Sequence, residues 1–134
     1  MQFTDQLNNV IELHGFPPQK IVSLVPSQTE LLYDLGLGSS MAGQTFFCIH
    51  PKEHFENATK IGGTKTLDIE KIRAINPDLI IGNKEENVQE QIEILKQDFP
   101  VWMSDIYTLE DSLDMIKSIG EITGTTSIAN TLCN

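Results

Sequence analysis

The sequence predicts an α/β domain with a mainly parallel sheet, and three observations carry that reading. In Lys20–Glu30, KIVSLVPSQTE, an apolar β-branched run stops at Pro26. Ser27 and Glu30 then have the S-x-x-E spacing of a capping box that opens a helix. A second buried run, Asp78–Gly82 (DLIIG), stands between segments whose apolar residues recur every three or four positions. Short apolar runs continue to alternate with helical segments along the chain, which predicts right-handed crossovers and a sheet covered on both faces. The expected architecture is a three-layer Rossmann-like lobe. In such sheets ligands lie outside the carboxyl ends of the strands, so function is sought there.

Each element has its own signal. Two short extended pieces, Gln2–Thr4 and Val10–Leu13, flank a Leu7-Asn8-Asn9 turn and predict an N-terminal hairpin. Lys20–Val25 is the first core strand; the helix from Ser27 places Leu31, Leu32 and Leu35 on one face and ends at Gly36 or Gly38. Met41–Thr45 reads as the second strand, and residues 46–66 as less regular, with Pro51 and Gly62-Gly63 marking loop. Asp68 caps a short helix that Pro77 terminates. After DLIIG, Asn87 and Glu90 open a helix carrying Val88, Ile92, Leu95 and Phe99, and Pro100 leads into the strand Val101–Met103. Thr108 caps a last full helix with Leu109, Leu113, Ile116 and Gly120 on one stripe. Beyond Gly124 the tail keeps helical spacing at Ile128 and Leu132, with no further strand for that helix to reach.

Composition sets limits. The 134 residues fit one domain, and a domain of this size buries ~65–70% of its unfolded surface. Acids outnumber bases 19 to 9, for a net charge of −10, which argues against nucleic acid or an anionic membrane as partner. Cys48 and Cys133 are too few for a disulfide framework. No apolar run approaches the ~18 residues needed to span a bilayer. MQFTDQLNN has neither a basic nor an apolar leader region, so no signal peptide is read; the protein is cytoplasmic, or its leader lies outside this sequence.

Several motifs are weak. Gly36-Leu37-Gly38 follows a helix rather than a strand and reads as a C-cap, not a dinucleotide fingerprint. Gly62-Gly63-Thr64-Lys65-Thr66 lacks the glycine before lysine that a phosphate loop needs, and the Asn57-Ala58-Thr59 sequon means little without a secretory signal. His50-Pro51-Lys52-Glu53-His54 matches H-x-x-E-H, in which two imidazoles hold zinc and the glutamate serves as base. Pro51 and the surrounding loop signals place His50 before any helix rather than on it. A weaker form has Cys48, His50 and His54 binding a metal; the alternative is that they shape a loop. Phe46-Phe47 lies just past the second strand, where adjacent residues point opposite ways, so one ring can be core and the other a ligand contact. Asn83-Lys84-Glu85-Glu86-Asn87 follows DLIIG and is a helix cap at least, a polar site rim at most.

Taken in order, IVSLVPSQTELLYDLGLG, AGQTFFCIHP, IGGTKTLDIEKIRAINPDLII and FPVWMSD resemble the first lobe of the class III ABC-transporter substrate-binding proteins. These carry cobalamin, haem and iron–siderophores, and the cobalamin-binding type is the most similar. The resemblance implies a receptor rather than an enzyme, with two lobes joined by one long helix and the ligand held between them. Residues 1–124 would form the N-terminal lobe, and 125–134 the start of the linker helix, within which the sequence stops. The resemblance places Phe47 where an aromatic packs on the corrin face, and Thr64 where such receptors carry a tryptophan. It implies Phe46, Phe47, Asn83 and Lys84 as the ligand face and Glu70 as the carboxylate that docks on arginines of the membrane permease. No cofactor is implied beyond the transported chelate. A periplasmic or membrane-surface location follows from the resemblance alone, and the apolar face of the helix stub invites self-association. Two other functions stay open: a small zinc hydrolase using His50, Glu53 and His54, and a cytoplasmic α/β interaction domain without a transport role.

Overall fold

A computed structural model of the chain describes residues 1–45 and 58–133. β1 (Gln2–Thr4) and β2 (Val10–Glu12) form the expected antiparallel hairpin. Asp5 closes its turn: Oδ1 accepts from the N–H groups of Leu7 and Asn9, both at 2.9 Å. The main strands are β3 (Ile21–Ser23), β4 (Met41–Gln44), β5 (Thr59–Lys60), β8 (Leu79–Asn83) and β9 (Val101–Ser104). They form one five-stranded sheet in the order β5–β4–β3–β8–β9, with neighbouring strands parallel throughout. Between β5 and β8 lies a small antiparallel ribbon, β6 (Gly62–Gly63) and β7 (Thr66–Leu67). The helices are α1 (Pro26–Asp34), α2 (Ile69–Ile75), α3 (Gln89–Lys96), α4 (Leu109–Thr123) and α5 (Thr126–Cys133).

Strand alternation sorts the core into two layers. Ile21, Leu79, Ile81 and Trp102 pack against Leu32 and Leu35 of α1, Met115 and Ile119 of α4, and Ala129 of α5. Their neighbours Val22, Ile80, Val101 and Met103 point the other way, onto Ile72 of α2 and Ile92 and Leu95 of α3. Helices thus cover both faces of the sheet, as the alternating sequence pattern requires. The hairpin blunts the outer edge of β9. Gln6 N–H donates to Met103 O at 3.1 Å, Met103 N–H donates to Asp5 Oδ2 at 3.2 Å, and Asp105 N–H donates to Gln6 Oε1 at 2.9 Å.

Four local expectations are corrected. The Ser27–Glu30 capping box does not form: α1 starts at Pro26 with Val25 as N-cap and no side-chain cap. Proline supplies the fixed φ of a first helical residue and has no N–H to satisfy, so the box is not needed. Its anchor is internal instead, with the Thr29 and Ser23 hydroxyls 2.7 Å apart and each 3.1 Å from Val25 O. Likewise α3 starts at Gln89 with Val88 as N-cap, and Asn87 and Glu90 form no box. On α4 the expected stripe holds only in part: Gly120 is buried and Ile116 packs against the core, but Leu109 is 76% exposed and the main core contacts are Met115, Ile119 and Ile122. Within the stretch 46–66, read as less regular with Gly62-Gly63 marking loop, the described part holds β5, β6 and the first residue of β7.

The caps at Asp68 and Thr108 form as expected. Asp68 Oδ1 accepts from Lys71 N–H at 3.1 Å, and Thr108 exchanges hydrogen bonds with Asp111 in a full capping box. The segment after Gly124 is helical, but it buries Ala129 and leaves Ile128 and Leu132 43% and 44% exposed. The cause is close approach: a Cβ on Gly120 would lie 2.5 Å from Ala129 Cβ. With Cys133 Sγ 3.9 Å from Leu113 O, α5 folds back along α4 through small side chains rather than branched ones. No helix of the described residues is long and apolar enough to cross a membrane.

Candidate functional site

Because neighbouring strands all run parallel, their carboxyl ends gather on one side of the sheet. The loops that follow β3, β5, β8 and β9 meet there. Beneath them lies a layer of buried, uncharged polar side chains. Gln28, 1% exposed, donates from Nε2 to Gly82 O at 3.1 Å and to Ser104 Oγ. Ser104 Oγ donates to Gly82 O at 3.2 Å and accepts from Asn83 Nδ2 at 2.9 Å. Asn83 Oδ1 accepts from the N–H groups of Glu85 and Glu86 at 2.9 and 3.1 Å, which curls the chain after β8 into an Asx turn.

Asn87 completes this support. Its Oδ1 accepts from Asn83 N–H at 2.9 Å, and its Nδ2 donates to Leu24 O at 3.2 Å and Thr64 O at 3.0 Å. One amide thereby ties together the loops after β3, β5 and β8. Lys65 adds a second tie, donating from Nζ to Glu85 O at 2.7 Å. The ribbon can sit so close only because Gly62 takes φ +100°, where a Cβ would meet Thr66 O at 2.4 Å. Amides and hydroxyls can satisfy one another here without the desolvation cost of buried charge. The result is a rim of fixed loops on an internally bonded polar layer. Two atoms depart from this pattern: Gln28 Oε1 and Asp105 Oδ1 are buried without a hydrogen-bond partner.

The residues read as a ligand face fall in three places. Phe46 and Phe47 lie outside the described residues, as do Cys48, His50, Glu53 and His54. Among the described residues no group of three or more His, Cys, Asp or Glu side chains could hold a metal ion. Asn83 is 9% exposed, and both its polar ends are used, Oδ1 within the turn and Nδ2 on Ser104 Oγ of β9. Lys84, directly after it, is exposed at the rim with Nζ 4.0 Å from Asp105 Oδ2. Thr64 sits in the ribbon turn, its carbonyl held by Asn87.

Glu70 lies apart, in the first turn of α2, with an 81% exposed side chain. It is not unpaired, since Arg73 Nη1 is 2.8 Å from Glu70 Oε1, while Arg73 Nε is 3.5 Å from Asp98 Oδ2.

Sequence reasoning missed Gln28 and Ser104, the centre of the polar layer. Gln28 stands three, four and seven residues before Leu31, Leu32 and Leu35, so the helical period already placed it on the buried face. A buried glutamine beside strand ends is a site-support signal that the apolar periodicity alone does not raise. Ser104 carried no comparable signal.

Comparison with known proteins agrees with this geometry. The Vitamin B12-binding protein of Vibrio cholerae is 31% identical over 105 residues, covering 78% of this chain and 38% of that protein. The crystal structure of the periplasmic vitamin B12 binding protein from Vibrio cholerae superposes with a TM-score of 0.80 at 28% identity, covering 89% of this chain and 47% of the other. A possible iron-binding periplasmic solute-binding protein from Staphylococcus epidermidis gives a TM-score of 0.80 at 26% identity, over 87% of this chain and 46% of its own. The chain therefore spans less than half the length of each. Residues 21–134, from the first core strand through α5, match the family model described as periplasmic binding protein. A five-stranded parallel sheet with its loops gathered at the carboxyl ends, matched in sequence over this length, makes the chain a member of the periplasmic binding protein family.

Proposed function

We propose that this lobe forms one wall of the ligand cleft in the substrate-binding component of an ABC importer, and that its ligand is cobalamin or a haem- or ferric-siderophore-type metal chelate. The observation that carries the reading is the rim itself. Loops from four strands are fixed at one end of the sheet by a buried layer made mainly of amides and hydroxyls. Such a face holds its loops in place before a ligand arrives, so little ordering entropy is lost on binding. Similarity to vitamin B12-binding proteins supports the ligand class. On this reading Phe46, Phe47 and Lys84 contact ligand, and Asn83 acts from beneath by holding the Lys84 backbone in place. Glu70 is the docking contact for the permease. Work in the periplasm or at a membrane surface, and binding rather than catalysis, belong to the same reading.

The test is optical and calorimetric titration of the complete gene product with cobalamin, haem and ferric siderophores. Saturable binding of one of them at micromolar concentration or tighter is expected. If none binds in that range, the ligand assignment fails.

A further inference from the structure

Two of the most exposed large apolar side chains in the described structure lie two residues apart in the segment that follows β9. Leu109 is 76% exposed and Tyr107 is 67% exposed, both just beyond the carboxyl end of β9. The segment that carries them is not slack. The N–H groups of Tyr107 and Thr108 both donate to Asp111 Oδ2, at 3.0 and 3.2 Å, and Asp111 N–H returns a bond to Thr108 Oγ1 at 3.1 Å. Upstream, Asp105 N–H is held by Gln6 Oε1 at 2.9 Å. A backbone pinned on both sides displays an aromatic ring by construction. The Tyr107 hydroxyl lies 3.5 Å from Glu85 Oε1, and Glu85 O accepts from Lys65 at 2.7 Å. The ring therefore leans toward the turn after β8, over the same rim that carries Lys84.

We infer that Tyr107, backed by Leu109, is an apolar platform for the ligand of the proposed receptor, and that it selects for chelates bearing a flat ring system. The inference rests on the receptor reading above and adds a specificity-determining residue to it. Tyrosine suits the task because its ring presents a large face with only two side-chain torsions to fix. Position decides the occupant: the platform is continuous with the loops at the strand ends, where a ligand of this fold lies.

The experiment compares wild type, Tyr107→Ala and Tyr107→Phe in the complete gene product. Ring-bearing probes are ferric haem, cyanocobalamin and a ferric tris-catecholate; an aliphatic ferric trihydroxamate is the ring-free probe. Tyr107→Ala should raise Kd for the bound ring-bearing probe by about tenfold, the size of one stacking contact, while Tyr107→Phe stays near wild type. Val10→Ser, which alters an exposed apolar side chain on β2, should change nothing. Unchanged affinity in Tyr107→Ala, an equal loss for ring-free and ring-bearing probes, or binding of the ring-free probe alone would each overturn the platform and leave the receptor reading standing. Failure of every probe to bind wild type would overturn both.

Discussion

The side chain of Asn87 holds three backbone segments at once, accepting from Asn83 N–H and donating to the carbonyls of Leu24 and Thr64. It is 5% exposed, so no water can replace the lost partners freely. Asn87→Ala leaves a buried N–H and two carbonyls short of a bond, and should destabilise the protein by about 2–3 kcal/mol in urea unfolding. Ser27→Ala gives the contrast. Ser27 is exposed and caps nothing, so its removal should stay within about 0.5 kcal/mol. A large loss at Ser27 would mean that the capping box exists in solution. The two positions also show what pattern reading misses. S-x-x-E spacing identified where α1 begins, yet Pro26 alone was enough to begin it. Asn87 stood in a capping position, yet the loops around it made a better use of its amide.

Among the elements, legibility followed the period and its cause. The strands that carry Ile21, Ile80 and Trp102 were visible because a strand covered on both faces is apolar over most of its length. The β6–β7 ribbon was not, because strands of two residues each, one of them Gly62-Gly63, are too short to show alternation. On α4 the sequence stripe ran through Leu109, Leu113, Ile116 and Gly120; the structure buries Gly120 and half-buries Ile116, but turns Met115, Ile119 and Ile122 to the core. The helix has two partners, the sheet and α5, and a single stripe cannot describe both. Gly120 is where the second partner enters. Gly120→Ala places a methyl 2.5 Å from Ala129 Cβ, and α5 must move away. The expected cost is about 1–3 kcal/mol, with faster proteolysis of residues 126–133. Ala129→Gly in the same chain should recover most of that loss, which separates a steric clash from a helix-propensity effect, since alanine at 120 by itself favours helix.

At the scale of the molecule, the two proposed functional surfaces differ in kind. The proposed ligand rim rests mainly on buried amides and hydroxyls, whereas the proposed docking contact is a single exposed carboxylate on a chain of net charge −10. Glu70 already has Arg73 at 2.8 Å, and Arg73 also reaches Asp98 at 3.5 Å. An exposed pair of this sort contributes little to stability, so a cationic partner can draw Glu70 away at small cost while Arg73 falls back on Asp98. Electrostatic docking of this type is expected to act on the rate of encounter and to weaken as salt screens it. Glu70→Arg in the complete gene product should therefore slow association with permease-containing liposomes by about tenfold at low salt, with a smaller gap at high salt. Its ligand affinity and unfolding midpoint should match wild type, because Glu70 touches neither the rim loops nor the core. Loss of ligand binding in that variant would remove Glu70 from a purely docking role. Unchanged association at every salt concentration would place the docking contact elsewhere on the acidic surface.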